Sequence, residues 1–444
     1  MTPGARIQAS IEMIDSIFQS WQGEKRLPAD KLIDHFFKSR RFIGSKDRAA
    51  IGELVYWCLR HKATLEWWLV SQLGGDFHAR ALVLTAIILR REGDVPALHT
   101  MSQDSKHAFP RLSAQEAARF EKLTSLLGKA ADVIQKAPAH MRLNYPEWIE
   151  PHLREAFGES FEAGVAALSE QAHTDLRVNT LKTTRDALLA QLTTEGYDVY
   201  PTPVSPLGIR LAKRAPIFTS PAFKAGHFEV QDEGSQLVAA LVGAKPGMKV
   251  IDFCAGAGGK TLAIAAQMQN KGRILAWDNS AKRLTQIKER LRRAGVDNVQ
   301  VHVLEHEHDQ FIKRHKDSAD RVLVDAPCSG TGTWRRNPDL KWRFTPQDLA
   351  EVLAVQQRIL QSAARLVKPG GQLIYATCSL LPQENHQQIE LFLNSVNDFR
   401  VVPADKIWDK HPPAGLGSKD AFLVLTPHQD GVDGFFAAAL HRLP

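Results

Sequence analysis

Cysteine is scarce: four residues, at 58, 254, 328 and 378, serve a chain of 444. No two form a Cys-x-x-Cys pair and no histidine stands at a zinc-type spacing from them, so neither a disulfide framework nor a metal site is expected. His302, His306 and His308 are not spaced with an acid or thiol that would complete a metal site, and they read as surface or turn residues. Long apolar runs are missing too. Nothing approaches the ~20 apolar residues of a membrane span. Met1-Thr2-Pro3-Gly4-Ala5-Arg6 leads into an amphipathic pattern interrupted by acids, not into an apolar signal segment. These absences point to a cytoplasmic protein with reduced thiols, no membrane partner and no metal. Acidic residues are outnumbered, 49 Asp and Glu against 56 Lys and Arg. The net charge of +7 favours a polyanionic partner and is equally compatible with a solvated basic surface. A hydrophobic content of 44% is that of a globular protein, and the length suggests two or three domains.

What is present is concentrated around Asp252-Phe253-Cys254-Ala255-Gly256-Ala257-Gly258-Gly259-Lys260-Thr261. An apolar run, Met248–Ile251, precedes it, and a helical pattern from Leu262 to Met268 follows. Strand, glycine-rich turn and helix in that order read as the first βα unit of a nucleotide-type α/β domain, where glycine lets the backbone approach a ligand. A second strand, Arg273–Asp278, ends in a carboxylate placed to accept hydrogen bonds from ribose hydroxyls. A third, Val299–Leu304, ends at Glu305, and a fourth, Arg321–Val324, runs into Asp325-Ala326-Pro327-Cys328-Ser329-Gly330-Thr331-Gly332. Pro369-Gly370-Gly371 reads as a helix-to-strand turn before a fifth strand, Gln372–Ala376, which ends in Thr377-Cys378-Ser379. Acids and thiols at the carboxyl ends of successive parallel strands define one crevice. A phosphate loop would need glycine at position 254, where Cys254 stands. An acid after the second strand suits a ribose better than a triphosphate, so a nucleoside cofactor such as S-adenosylmethionine fits better than ATP, and an ATPase remains the alternative.

Three segments, Phe253–Thr261, Asp325–Gly332 and Thr377-Cys378-Ser379, resemble in order the signature motifs of the Sun-type, RsmB-like RNA 5-methylcytosine methyltransferases. The likeness takes in Arg177-Val178-Asn179-Thr180-Leu181-Lys182 and Gly226 to Ser235, and it is looser before them. Two departures are visible: Gly256-Ala257 where the family more often has Ala-Pro, and Glu305 where it usually has aspartate. The resemblance implies a doubly wound, Rossmann-like α/β methyltransferase domain over 227–444. It implies S-adenosylmethionine as cofactor, held by Cys254, Ala255, Gly256, Ala257, Gly258, Gly259, Lys260, Asp278, Glu305 and Asp325. Its implied partner is RNA, with ribosomal RNA expected ahead of transfer RNA, and the protein is expected to be a monomer.

The chemistry turns on two thiols. Cytosine carbon 5 is a poor nucleophile, and addition of a thiolate at carbon 6 makes the ring an enamine that can accept a methyl group at carbon 5. In the family resembled, the thiol after the fifth strand attacks and the one after the fourth assists release, which makes Cys378 the nucleophile and Cys328 the releasing group. Asp325 can accept a hydrogen bond from the exocyclic amine that uracil lacks. Lys260 stands beside the same crevice, where it can favour a thiolate or fix substrate. DNA cytosine methyltransferases use the Pro-Cys thiol instead, so a DNA enzyme is a second alternative, and an RNA-binding factor that needs neither thiol is a third.

The rest of the chain is read around that domain. Residues 5 to 135 carry helical periodicity, as in Ile7, Ile11, Ile14 and Ile17, and Cys58 falls on an apolar face as a core residue. With Asp47-Arg48, Glu53-Leu54-Val55 and Leu59-Arg60-His61, residues 1–139 resemble an all-helical NusB-like domain. The basic segment Lys38 to Arg48 is a candidate RNA contact or a solvated loop. Gly93 to Pro110 reads as a linker. Residues 140–226 read as linker helices and a small α/β appendage, whose Arg177, Lys182, Arg185, Arg210, Lys213 and Arg214 are candidate RNA-backbone contacts. The pattern Ala281 to Ala294 reads as an amphipathic helix with a basic outer face. Trp334-Arg335-Arg336 is a candidate clamp on a splayed nucleotide, and Asp433 to Leu440 reads as a last strand.

Overall fold

The computed structural model describes residues 1–23, 25–307, 309–403, 406 and 421–444, so His308 lies outside the described residues. The chain forms two compact units, Met1–Arg154 with Arg336–Thr345, and Glu155–Arg335 with Pro346–Pro444. No helix among the described residues is long and apolar enough to cross a membrane.

The first unit is helical. Helices Pro3–Gln22, Ala29–Ser39 and Ser45–Arg60 each turn one apolar stripe inward, bringing Ile14, Ile17, Ile33, Phe36, Ile51 and Val55 into a common core. Ala79–Leu89 is apolar nearly all round and is correspondingly buried. Cys58 is fully buried in this core, and burial pushes its thiol far above the usual range. The expected linker from Gly93 to Pro110 contains a helix, Val95–Met101. Asp94 caps it, its carboxylate accepting from Ala97 N at 2.9 Å, and Pro96 sits in the first turn. These are start signals for a helix, not breaks. In the basic segment, Arg40 pairs with Glu12 at 3.2 Å and Arg48 donates to the Ile43 carbonyl, while Arg41 and Phe42 face solvent. Residues 336–345 complete this unit: Trp342 Nε1 donates to Leu59 O at 2.6 Å, Lys341 Nζ to Arg60 O at 3.1 Å, and Ala29 N to Asp339.

The second unit holds two sheets. In the smaller, β1 (Thr174–Val178), β2 (Val199–Pro201), β3 (Gly208–Leu211) and β4 (Phe228–Val230) run antiparallel in the order β2-β3-β1-β4, with the helix Arg185–Thr194 packed on one face. The larger contains β5 (Lys249–Asp252), β6 (Arg273–Asp278), β7 (Val299–Val303), β8 (Ala319–Asp325) and β9 (Val367–Thr377), all parallel, in the order β9-β8-β5-β6-β7. Beyond β9 the sheet is extended antiparallel by β12 (Phe435–Arg442), which also pairs with β10 (Phe399–Val402) and β11 (Leu423–Leu425). The strands read as apolar runs because helices cover both faces. The chain leaves β5 toward β6 and β7 and returns to β8 on the other side, so the order reverses between β5 and β8. The carboxyl ends of these two strands therefore open a crevice.

The loops beyond β8 and β9 are sewn to the start of β12. Gly332 N donates to Cys378 O at 3.0 Å, and Gly434 N donates to Gly332 O at 2.9 Å. A Cβ on Gly332 would stand 2.2 Å from Gly434 O, a backbone atom that cannot swing away. Gly332→Ala is expected to lower stability by about 1–3 kcal/mol, the usual range for overpacking. Chemical denaturation checks this, and a midpoint equal to that of the parent protein would refute the close-approach account.

Candidate active site

The glycine turn after β5 is fastened from both sides. Asp278, at the end of β6, accepts from Gly256 N at 2.9 Å through one carboxylate oxygen and from Ser280 N at 2.8 Å through the other. Arg283 pairs with the same carboxylate at 2.8 Å. Gly258 has φ of 83°, and a Cβ there would meet Ile287 at 2.8 Å, so glycine permits both the turn and the close approach of the helix Ala281–Ala294. Behind the turn, Arg177 Nη1 donates to Gly259 O at 2.7 Å and Arg290 Nη1 to Ala257 O at 2.6 Å. Buried Glu229 pairs with Arg290 at 2.9 Å and with Arg293. Burial lowers Arg177 to about 10, which leaves it cationic at neutral pH.

The front of the turn is open. A Cβ on Gly256, where φ is 55°, would meet nothing within 4 Å. Asp252 Oδ2 accepts from Thr261 Oγ1 at 2.6 Å, whereas Oδ1 is buried with no hydrogen-bond partner among the described residues. Burial pushes Asp252 up to about 7, against the pull of Thr261. Open space over Gly256, an unmatched buried acceptor and the amino end of the helix Gly259–Gln267 suit a polar ligand. Glu305 lies just past β7 and is exposed.

Across the switch point stand the thiols. Cys328 Sγ and Cys378 Sγ are 3.4 Å apart, on the loops that leave β8 and β9. Lys260 Nζ pairs with Asp325 Oδ2 at 2.7 Å. Burial pulls the Lys260 ammonium down, but the Asp325 carboxylate more than offsets it and holds the group above its usual value. That cation also acts electrostatically on Cys378. The hydrogen bond with Cys378, then burial, push the Cys328 thiol well up. Cys254 is pushed well up by burial and by the carboxylates of Asp252, Asp325 and Asp278, which makes it a poor thiolate.

A buried acid that sequence reasoning missed joins the two thiol loops. Glu384 is fully buried and accepts from Ser329 N at 2.7 Å, Ser329 Oγ at 2.5 Å, Gln356 Nε2 at 3.0 Å and Ser379 Oγ. The only local signal is its position in Pro382-Gln383-Glu384-Asn385, directly beyond the Cys378 motif.

Several expected RNA contacts are internal instead. Arg210 is buried in a two-pronged pair with Asp175 at 2.7 and 3.0 Å, whereas Lys182 stays exposed while its Nζ donates to the carbonyls of Ala225 and Arg293. With Arg177 also internal, Lys182, Lys213 and Arg214 remain exposed on the small sheet's subdomain and Arg185 is half-buried. Trp334 and Arg335 do not form a surface clamp: they are 2% and 3% exposed, and Arg335 Nη1 donates to Val432 O at 3.1 Å. In each case the guanidinium or ammonium satisfies carbonyls or carboxylates that folding would otherwise strand. The helix Ala281–Ala294 turns Arg290 and Arg293 inward and leaves Lys282, Lys288 and Arg292 exposed.

The relatives accord with this geometry. Residues 239–441 match the family model described as 16S rRNA methyltransferase RsmB/F, and residues 145–218 match the RsmF/B-like, ferredoxin-like domain. The chain is 30% identical to ribosomal RNA small subunit methyltransferase B of Citrobacter koseri, over 90% of this chain and 91% of that one. It is 31% identical to the protein of the same name from Pectobacterium carotovorum, over 90% and 92% respectively. A solved methyltransferase homolog from Pyrococcus horikoshii superposes with a TM-score of 0.59 at 29% identity, covering 69% of this chain and 98% of its own. With motifs, fold and full-length relatives in agreement, the chain belongs to the RsmB/F family of S-adenosylmethionine-dependent rRNA methyltransferases.

Proposed function

We propose that this protein methylates carbon 5 of a cytosine in small-subunit ribosomal RNA through a covalent cysteine adduct. The observation that carries the reading is the thiol pair at 3.4 Å, beside the Lys260–Asp325 ion pair at the switch point of the sheet. Bound S-adenosylmethionine supplies an electrophilic methyl group. Its holders are the turn from Cys254 to Lys260, Asp278, Asp325 and, past β7, Glu305, with the open space over Gly256 and the unmatched oxygen of Asp252 as the supporting features.

Cys378 adds to carbon 6 of the base, and the Lys260 ammonium favours its thiolate. Asp325 uses one oxygen for Lys260, which leaves the other for the exocyclic amine of cytosine. After methylation the carbon-5 proton passes to solvent water and its bonding pair forms the 5,6 double bond as the carbon–sulfur bond breaks, which returns the Cys378 thiolate; Cys328 assists this elimination. The target base must be unpaired or flipped out to reach the thiols. The same reading takes the protein as a cytoplasmic monomer, with a helical domain at 1–139, an RNA-binding subdomain at 140–226 and the methyltransferase domain at 227–444.

Two experiments follow. Asp278→Ala removes a charged acceptor that also holds Gly256, so affinity for S-adenosylmethionine is expected to fall about ten- to a hundredfold, or roughly 1.5–3 kcal/mol. Arg177→Met is expected to weaken the same binding without RNA present; calorimetry showing parent-like affinity would refute a role for Arg177 in holding the cofactor turn. The thiols are separated by trapping. Cys378→Ala should abolish methylation and the enzyme–RNA adduct together. Cys328→Ala should accumulate a slow-migrating, nuclease-sensitive adduct on a denaturing gel, and the double variant should show none, because the two steps act in series. Adducts on Cys378→Ala but not on Cys328→Ala would reverse the roles.

A further inference from the structure

We propose that Glu384 is a positioning residue for the thiol pair: its buried carboxylate ties the loop carrying Cys328 to the loop carrying Cys378 and turns negative charge toward Cys378. This rests on the thiolate chemistry proposed above and adds the group that makes two adjacent sulfurs inequivalent.

The carboxyl group gathers donors from both thiol loops. Oε1 takes two N–H groups that can only donate, from the Ser329 backbone and the Gln356 amide. Oε2 takes the hydroxyls of Ser329 and Ser379. Ser379 Oγ also accepts from Leu381 N at 3.0 Å. Thr331 Oγ1, 3.2 Å from the Ser379 hydroxyl, is occupied in the same way by Leu380 N at 2.8 Å. Ser329 follows Cys328 and Ser379 follows Cys378, so one carboxylate grips the residue after each sulfur. Gln356, from the helix Pro346–Ala364, also donates to Pro327 O at 2.9 Å, one residue before Cys328.

Charge then separates the sulfurs. Glu384 acts electrostatically on Cys328 and disfavours a thiolate there. Lys260 acts on Cys378 with the opposite sign. The carboxylate is tied through Ser329 to the Cys328 loop, and the cation that acts on Cys378 carries the opposite sign. Burial raises the Glu384 carboxyl above its usual range, and the four donors from Ser329, Ser379 and Gln356 pull it back toward the charged form.

The test reads the sulfurs directly, with the full-length protein, no RNA and no cofactor. Limited alkylation by iodoacetamide at neutral pH, followed by peptide mass spectrometry, should modify Cys378 ahead of Cys328 in the parent protein. Glu384→Gln keeps the shape and removes the charge; the ratio of Cys378 to Cys328 modification should fall about tenfold, the change that one unit of thiol acidity produces. Glu384→Asp keeps the charge with a shorter arm and should retain the parent preference while slowing methylation. A parent protein that labels both sulfurs equally, or Cys328 first, overturns the proposal whether or not any variant folds. A folded Glu384→Gln with the parent ratio overturns it as well. Because labelling needs no RNA, these outcomes stand apart from a failure to methylate cytosine.

Discussion

The parallel register of β8 on β9 is the constraint on which the site depends. Asp325 is paired with Ala376, and Ala326 N continues the ladder by donating to Ala376 O at 2.8 Å. Cys328 lies three residues beyond the first partner and Cys378 two beyond the second, so the register itself carries the sulfurs to one height above the sheet. On the other flank of β8, β5 brings the glycine turn and Lys260 to the same level. A slip of one residue in either pairing would turn the apolar strand faces over as well as separate the groups, so the hydrophobic core and the chemistry enforce the same alignment.

Strand ends were legible in the sequence for the same reason. Strands covered on both faces must be nearly continuous apolar runs, and the first polar residue after each run marks the carboxyl end where ligands bind. Arg273–Asp278 appears with the bounds expected of it. The start of β9 was not legible: pairing begins at Val367, and Pro369-Gly370-Gly371 is an irregularity inside the strand, with the register shifting after Ala319. The helix Val95–Met101 was hidden because Asp94 and Pro96 signal a turn as readily as a helix start, and only the Asp94 cap on Ala97 N decides between them.

The fate of charged residues was least legible. A basic residue on a strand looks like an RNA contact in a one-dimensional reading, yet Arg177, Arg210 and Arg335 end under the surface. Each meets acceptors distant in sequence: Gly259 O for Arg177, Asp175 and Glu233 for Arg210, Val432 O for Arg335. Glu384 escaped for the mirror-image reason. Its donors come from Ser329, Gln356 and Ser379, and no local pattern announces a carboxylate whose partners are assembled by three separate segments.

This changes what the net charge of +7 can be asked to explain. An arginine bound to buried carbonyls contributes to the total but presents no donor to a phosphate, and phosphate contacts are what make RNA affinity electrostatic. The charges with that freedom are those at the surface, among them Arg41, Lys213, Arg214, Lys282, Lys288 and Arg292. Two of the inward-turned arginines hold the glycine turn instead. Arg177 reaches from the small sheet to Gly259 O and Arg290 from the helix Ala281–Ala294 to Ala257 O, so two neighbouring carbonyls are neutralised from behind while the space over Gly256 stays open in front. The small sheet's subdomain is thereby part of the support of the glycine turn, because Arg177 cannot be removed without leaving Gly259 O unmatched from that side.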